Sequence, residues 1–270
     1  MEQYKRVLAI AGSDSGGGAG IQADIKAISA CGCYATTAIT AITAQNTLEV
    51  TDIHAIPVTN LKKQIQAVLE DIGTDSIKVG MLHNSETILA VNEMLQQFKI
   101  TNTVLDPVMV ANSGSKLLQT DAIETLQDAL IPNTRVITPN IPEAEILLGK
   151  QLVHQTDLPE YARALGENYH VSVLLKAGHL HDHDLMDVFF NIETNDIIAL
   201  PSKRIATKNT HGTGCTLSSA LAAYLARGFA LNDAVQKAKD YINGAIIAGT
   251  GYSTGKGHGP VNHFYKLWKR

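Results

Sequence analysis

The chain has 270 residues, 45% of them hydrophobic and 18% charged, with a formal charge of −4. That is enough apolar material for a large core in one domain or two small ones, and the acidic balance argues against a nucleic-acid partner, whose binders usually show a basic face. No apolar run approaches the roughly 18–20 residues that cross a membrane, and the short run after the charged opening "MEQYKR" does not make a signal peptide. A cytoplasmic protein with no membrane attachment is therefore expected. Cys31, Cys33 and Cys215 are an odd, sparse set that reads as reduced thiols. Cys31-Gly-Cys33 lacks the second pair a metal site would need.

Short apolar runs alternate with helical patterns. "RVLAIAG" (6–12) reads as a buried strand, and the glycine-rich "GSDSGGGAG" (12–20) leads into a helix with Ile21, Ile25 and Ile28 on one face. "YATTAITAITA" (34–44), rich in β-branched residues, is the next strand. Leu61, Ile65, Val68, Leu69 and Ile72 mark an amphipathic helix. Strands follow at 76–81, 101–109, 135–140 and 171–178, each preceded by a helical segment. "DVFFN" and "DIIAL" (187–200), separated by "IETN", read as a hairpin at the sheet edge. Two helices close the chain, from about Gly214 and about Asn232, and Leu217, Leu221 and Leu225 give the first a single core-facing stripe. The rhythm predicts a three-layer α/β/α domain over 1–270, with a mainly parallel sheet between helices.

In such sheets ligands sit beyond the carboxyl ends of the strands. Polar or glycine-rich signals gather there: Gly12-Ser-Asp14, Gln45-Asn46, Gly80-Met81, Asp106-Pro107, Asn140 with Glu143, and Lys176. Each alone also has a structural account, because strand ends lead into turns that favour the same residues. The 12–20 loop lacks the Lys-Ser/Thr of a Walker A sequence, and Ile21 stands where the dinucleotide fingerprint needs a glycine. Asp14 is then either a turn residue or the holder of a hydroxyl or cation. Pro142 suits a first helical turn. Glu143 either complements that helix N-terminus or holds Mg²⁺ through waters, with Asp106 as the second carboxylate. Lys176 ends an apolar strand, an expensive place for a charge unless an anion such as a triphosphate meets it.

Gly212-Thr-Gly214-Cys215 heads a helix. Glycines there let the backbone aim several unpartnered N–H groups at one spot, where the peptide dipoles add positive charge. The result is an anion site with a thiol beside it. That field is expected to draw the Cys215 pKa from about 8.5 towards neutrality. Nucleophile, general base and small packed residue are the competing roles; nothing else signals covalent thiol catalysis, which favours a base or a substrate contact. His179-Leu-His181-Asp-His183 reads as an exposed loop rather than a metal cluster. "GKGHGPVNHF" (255–264) either covers a nucleotide or ties down the tail.

Over nearly its whole length the chain resembles the bacterial hydroxymethylpyrimidine/phosphomethylpyrimidine kinases of thiamine biosynthesis, within the ribokinase-like superfamily. The resemblance lies in "AGSDSGGGAGIQADIK", "TAITAQNT", "KVGML", "LDPVMVANSG", "TPNIPEAE", "KNTHGTGCTLSSALAA" and "GHGPVNHF", in that order. It implies ATP- and Mg²⁺-dependent phosphorylation of 4-amino-5-hydroxymethyl-2-methylpyrimidine and then of its monophosphate. It further implies that Gly212 and Gly214 stabilise the moving phosphoryl group, Cys215 takes the hydroxyl proton, and Lys176 serves both catalysis and the nucleotide. By the same resemblance Gln45 faces the aminopyrimidine, with Gly12, Met81 and Val108 around the ring; Asp14, from its place in the 12–20 loop, is a further candidate for substrate contact. Asn140, Lys176, Thr207 and Lys239 fall on the nucleotide side, and Asp106 and Glu143 on the metal. A homodimer is implied as well. Ala177 stands where a second glycine is usual, and Ser15-Gly16 replaces a common Ser-Ser; neither removes a functional side chain.

Three rivals remain. Pyridoxal kinase shares the fold and the cysteine-bearing turn, but its pyridoxal-favouring branch often carries a second cysteine where this chain has Ala111, and "AQNT" is retained here. A catalytically silent pyrimidine-binding protein is opposed by the intact Asp106, Glu143, Lys176 and Cys215. A thiol hydrolase is the weakest, and would leave a covalent adduct on Cys215.

Overall fold

A computed structural model describes residues 2–109, 117–119, 121–152, 154–178 and 184–268. Its strands are β1 (Arg6–Asp14), β2 (Tyr34–Gln45), β3 (Val50–Ala55), β4 (Ser76–Val79), β5 (Thr103–Leu105), β6 (Val136–Ile137), β7 (Ser172–Leu175), β8 (Asp184–Asn191) and β9 (Asp196–Lys203). They form one sheet in the order β3-β2-β1-β4-β5-β6-β7-β8-β9. From β2 to β7 neighbouring strands are parallel, while β3 at one edge and the β8–β9 hairpin at the other are antiparallel. The helices are α1 (Gly20–Ala30), α2 (Val58–Ala67), α3 (Ser85–Gln97), α4 (Ala122–Thr125), α5 (Ile141–Leu148), α6 (Leu158–Tyr169), α7 (Thr213–Ala226) and α8 (Leu231–Gly249).

Alternation along the central strand sorts the core into two layers. Leu8 and Ile10 point to one face of the sheet, where Leu61 and Ile65 of α2, Ile88 and Val91 of α3, Leu147 of α5 and Leu165 of α6 cover them. Val7 and Ala9 point to the other, under Ile28 of α1, Leu221 of α7 and Ile242 of α8. Burying each such aliphatic side chain contributes about 1.5–3 kcal/mol.

The expected three layers, parallel sheet and edge hairpin are present. Several details differ. Ile25 is exposed, because the buried face of α1 centres on Asp24, Ala27 and Ile28. The strands at 101–109 and 135–140 stop at Leu105 and Ile137. Proline follows shortly after each, at 107 and 139, and cannot donate to a ladder. β3 is absent from the sequence reading: "VTDIHA" is half-buried to exposed throughout and has no apolar run to announce it. α7 has no single stripe; every residue from Thr216 to Ala223 is buried, and its serines and alanines let it pack closely among α1, α8 and the sheet.

The parallel strands all end on one edge. The chain leaves β1 towards β2 on one side and returns through β4 on the other, so the strand order reverses beside β1, a position where open α/β sheets place their ligands.

Candidate active site

The loop after β1 is wired by Asp14. Its buried carboxylate accepts hydrogen bonds from the backbone amides of Gly16 (2.8 Å), Gly18 (3.0 Å) and Ala19 (2.8 Å), and its Oδ2 lies 2.9 Å from His211 Nε2. Burial alone would raise this carboxyl; the His211 hydrogen bond, the loop amides and the charge of His211 together hold it below the ordinary carboxylate range. These partners place Asp14 in the organisation of the loop, with only Oδ1 keeping a lone pair for any further contact. His211 in turn packs on Gly18, where an added Cβ would fall 2.3 Å from its ring. Gly212 has φ +77°, and a Cβ there would stand 1.8 Å from the carbonyl oxygen of Gly18. Only glycine lets the two glycine-rich segments close on each other.

Gly212 caps α7, and the amides of Gly214 and Cys215 in its first turn have no hydrogen-bond partner among the described residues. A Cβ on Gly214 would sit 3.2 Å from Asp106 Oδ2 and 3.4 Å from Lys176 Nζ. The helix end thus lies directly against a buried ion pair, Lys176 Nζ to Asp106 Oδ1 at 2.9 Å, with Thr138 Oγ1 donating to the same oxygen at 3.0 Å. Burial opposes both charges, but Lys176 and Lys78 keep Asp106 below its usual range, and Asp106 and Glu143 keep Lys176 above its own.

Asn140 and Glu143 form a reciprocal cap on α5: Asn140 Oδ1 accepts from the Glu143 amide at 3.0 Å, and Glu143 Oε2 from the Asn140 amide at 2.8 Å. The capping role of this pair is therefore present. Glu143 still faces the charges of Lys176 and Asp106. Burial, against the pull of Lys176 and with the push of Asp106, lifts its carboxyl to about 7. No cluster of three His, Cys, Asp or Glu suited to a metal occurs among the described residues.

Cys215 departs from expectation. Burial above all, with the charges of Asp24 and Asp106 behind it, pushes the thiol up to about 11 against the pull of Lys78. Its field does not make a thiolate in the ligand-free protein. Desolvation at this half-buried helix turn raises the thiol above its ordinary value.

On the substrate side, Gly12 and Met81 face each other, the methionine sulfur 2.9 Å from where a Gly12 Cβ would be. Gln45 ends β2 half-buried, its side chain 3.3 Å from His211 Nε2 and 3.1 Å from Thr43 Oγ1. Val108 lies beyond β5, its amide bonded to the Asp106 carbonyl at 2.8 Å. Thr207 lines an open groove of about 590 Å³ with Lys208, Asn209, Tyr252 and the glycine-rich segment Gly255–Gly257. That segment also docks on the turn after β2: Gly257 N donates to Thr47 Oγ1 at 3.1 Å and His258 N to the Thr47 carbonyl at 2.9 Å. It walls a groove and ties down the tail at once. Lys239, expected on the nucleotide side, is already paired. It is buried in an ion pair with Asp187 at 2.5 Å, and Asp187 also holds the Ala177 amide, so this lysine braces the end of β7. Ala111 and the histidines at 179, 181 and 183 lie outside the described residues.

Some residues near the site were missed by the sequence reading. Lys78 and Asp24, both fully buried, pair at 2.9 and 3.0 Å, and Ser219 Oγ donates to Asp24 at 2.7 Å. Ser219 lies one helical turn beyond Cys215 on α7, which puts this buried pair beneath the thiol. Burial pulls the Lys78 ammonium down, but Asp24, Cys215 and Asp106 more than reverse it. A lysine inside "SIKVGM" and an aspartate on the apolar face of α1 were the available signals, since a charge in such a place needs a partner.

Residues 14–262 match the family model described as phosphomethylpyrimidine kinase. The hydroxymethylpyrimidine/phosphomethylpyrimidine kinase of Rhizobium meliloti is 45% identical, over 97% of this chain and 98% of its own. Among solved structures, a phosphomethylpyrimidine kinase from Clostridium difficile superimposes with a TM-score of 0.79 at 41% identity, over 90% of this chain and 99% of its own. The ADP complex of a Bacillus subtilis pyridoxal kinase reaches 0.89 at 32% identity, over 98% and 100%.

Proposed function

The chain belongs to the phosphomethylpyrimidine kinase family, and from that premise we propose that it works in thiamine biosynthesis. It transfers the terminal phosphoryl group of ATP to the hydroxymethyl group of 4-amino-5-hydroxymethyl-2-methylpyrimidine, and then to the phosphate so formed. The observation that carries this reading is the meeting of the Asp106–Lys176 pair with Gly214 at the start of α7, on the sheet edge that also bears Gly12, Met81 and Gln45.

Phosphoryl transfer depends mostly on positioning and on stabilising charge. The open amides of Gly214 and Cys215 and the ammonium of Lys176 supply positive charge to the moving group without rearranging. The groove at Thr207 is of a size and polarity that suit a nucleotide. Magnesium, when bound, neutralises charge on the triphosphate. Asp106 and Glu143 would hold it through its waters, a donor set suited to an ion that keeps most of its hydration shell. The side-chain amide of Gln45 offers a donor and an acceptor to the ring amine and its neighbouring nitrogen. Cys215, whose thiol is raised to about 11, positions the acceptor hydroxyl, and as the new P–O bond forms the hydroxyl proton passes to an oxygen of the transferred phosphoryl group. A cytoplasmic homodimer is part of the same proposal.

The test compares ATP consumption with the aminopyrimidine alcohol, its monophosphate and pyridoxal under one set of conditions. Turnover of the first two, ending in the diphosphate, is expected. Preference for pyridoxal with no diphosphate overturns the assignment. The likeness to pyridoxal kinase supports a second, weaker activity on that aldehyde.

A further inference from the structure

Gln45 stands in a chain of hydrogen bonds whose ends each admit one direction only. At one end, Asp14 Oδ2 lies 2.9 Å from His211 Nε2. An ionised carboxylate only accepts, so that ring nitrogen carries its proton. At the other end, Thr43 Oγ1 lies 2.9 Å from the carbonyl oxygen of Ser13. A carbonyl only accepts as well, so the single hydroxyl proton is committed there.

The carboxamide of Gln45 spans the gap, with its nitrogen outlined 3.3 Å from His211 Nε2 and its oxygen 3.1 Å from Thr43 Oγ1. In that orientation two N–H groups meet face to face, and one hydroxyl proton must serve both Ser13 and Gln45. The two ends of a carboxamide have the same shape, and the protons of the neighbours decide between them. Turning the amide over replaces the N–H···H–N clash with an attraction: the Nε2–H of His211, donated chiefly to Asp14 at 2.9 Å, is shared with the Gln45 oxygen at 3.3 Å, and the NH₂ donates to the free lone pair of Thr43. One N–H and one lone pair of Gln45 then remain uncommitted.

We propose that Asp14, through His211, and Thr43 lock the Gln45 amide in this single orientation, and that the fixed order of its free donor and acceptor selects an aminopyrimidine over a ring with those groups transposed. The proposal rests on the reading that Gln45 meets the ring amine and the adjacent nitrogen. A carboxamide free to turn over would serve either ring. A locked one leaves two buried polar pairs mismatched on the wrong ring, and sites of that kind discriminate strongly. Thr43 and His211 are thus positioning residues. Thr43 is buried, and His211 is covered by the loop it packs on.

The experiment measures kcat/KM on the full chain for the aminopyrimidine alcohol and for its 4-oxo analogue, in which a ring N–H and a carbonyl replace the ring nitrogen and the amine. Wild type should prefer the amine by about 10²-fold or more. Thr43→Val should shrink that ratio at least about tenfold with the KM for ATP unchanged, and Thr43→Ser should restore it. His211→Asn, read the same way, covers the case in which the valine variant does not fold. Parallel loss on both rings, with the ratio intact, means that Thr43 only supports the fold and overturns the lock, as does a wild-type ratio near one. Gln45→Leu separates the two ideas. A ratio unchanged in that variant sinks the reading of Gln45 itself, whereas a ratio lost in Gln45→Leu but kept in Thr43→Val sinks only the lock.

Discussion

Replacing Lys78 by methionine keeps most of the side-chain volume and removes one charge from a pair that no solvent reaches. Asp24 is left facing Ser219 alone, a carboxylate with one hydroxyl for company. Breaking a buried pair from one side costs about 3–5 kcal/mol, because the survivor is uncompensated. At roughly 2–4 °C per kcal/mol for a chain near this size, the melting temperature should fall by about 10 °C. The double variant Lys78→Met/Asp24→Leu removes both charges, and should return to within about 2 kcal/mol of wild type. Ser219 does not become an orphan there, since a helical serine can donate to the carbonyl four residues earlier. Equilibrium urea unfolding of the wild type, both single variants and the double variant, followed by circular dichroism at pH 7, gives the coupling energy directly. A Lys78→Met protein with the wild-type midpoint, or a double variant as weak as the sum of the singles, refutes the reasoning.

Two further outcomes depend on pH. A Cys215 thiol at about 11 is thiolate in only about one molecule in a few thousand at pH 7.5; its iodoacetamide labelling, mapped by peptide mass, should be slow there and quicken up to pH 10. Labelling at neutral pH as fast as a free cysteine contradicts the raised thiol pKa. His263 is buried against Thr216 at 2.9 Å, and burial, with the charge of Lys26, lowers its pKa from 6.5 to about 4. Between those values the unfolded chain binds more protons, so the neutral ring contributes its full stability above pH 6.5 and loses it as pH falls towards 4, a change of roughly 3 kcal/mol. His263→Gln should flatten the decline in urea midpoint between pH 7 and 4.5; an identical decline in both proteins would rule that out.

Much of the site was legible because backbone chemistry announces itself. Gly212-Thr-Gly214 before an apolar helix can be read as an open helix end, and Lys176 at the close of an apolar strand signals an anionic partner; the structure joins the two at Gly214. What stayed hidden was how side chains are paired across distant parts of the chain. Asp14 in a glycine loop looks the same whether it awaits a ligand or, as here, serves three local amides and a histidine 197 residues away. Lys239 matched a nucleotide-side position, yet its ammonium is held by Asp187 on a strand with no local relation to it. The thiol of Cys215 was misjudged because the helix field can be read from glycine placement, whereas desolvation depends on how tightly α7 is enclosed. β3 was invisible for the opposite reason: an edge strand with little to bury carries no apolar pattern.

The docking of Gly257 and His258 onto Thr47 has a wider meaning. Gln45 closes β2 and Thr47 follows two residues later; in the function proposed above the first would address the ring to be modified, while the second grips the wall of the groove proposed for the phosphate donor. With both sites as proposed, the two reactants share one short stretch of backbone. In that arrangement a substitution that shifts the strand end would move both walls, and a change of acceptor would be expected to disturb the hold on the donor.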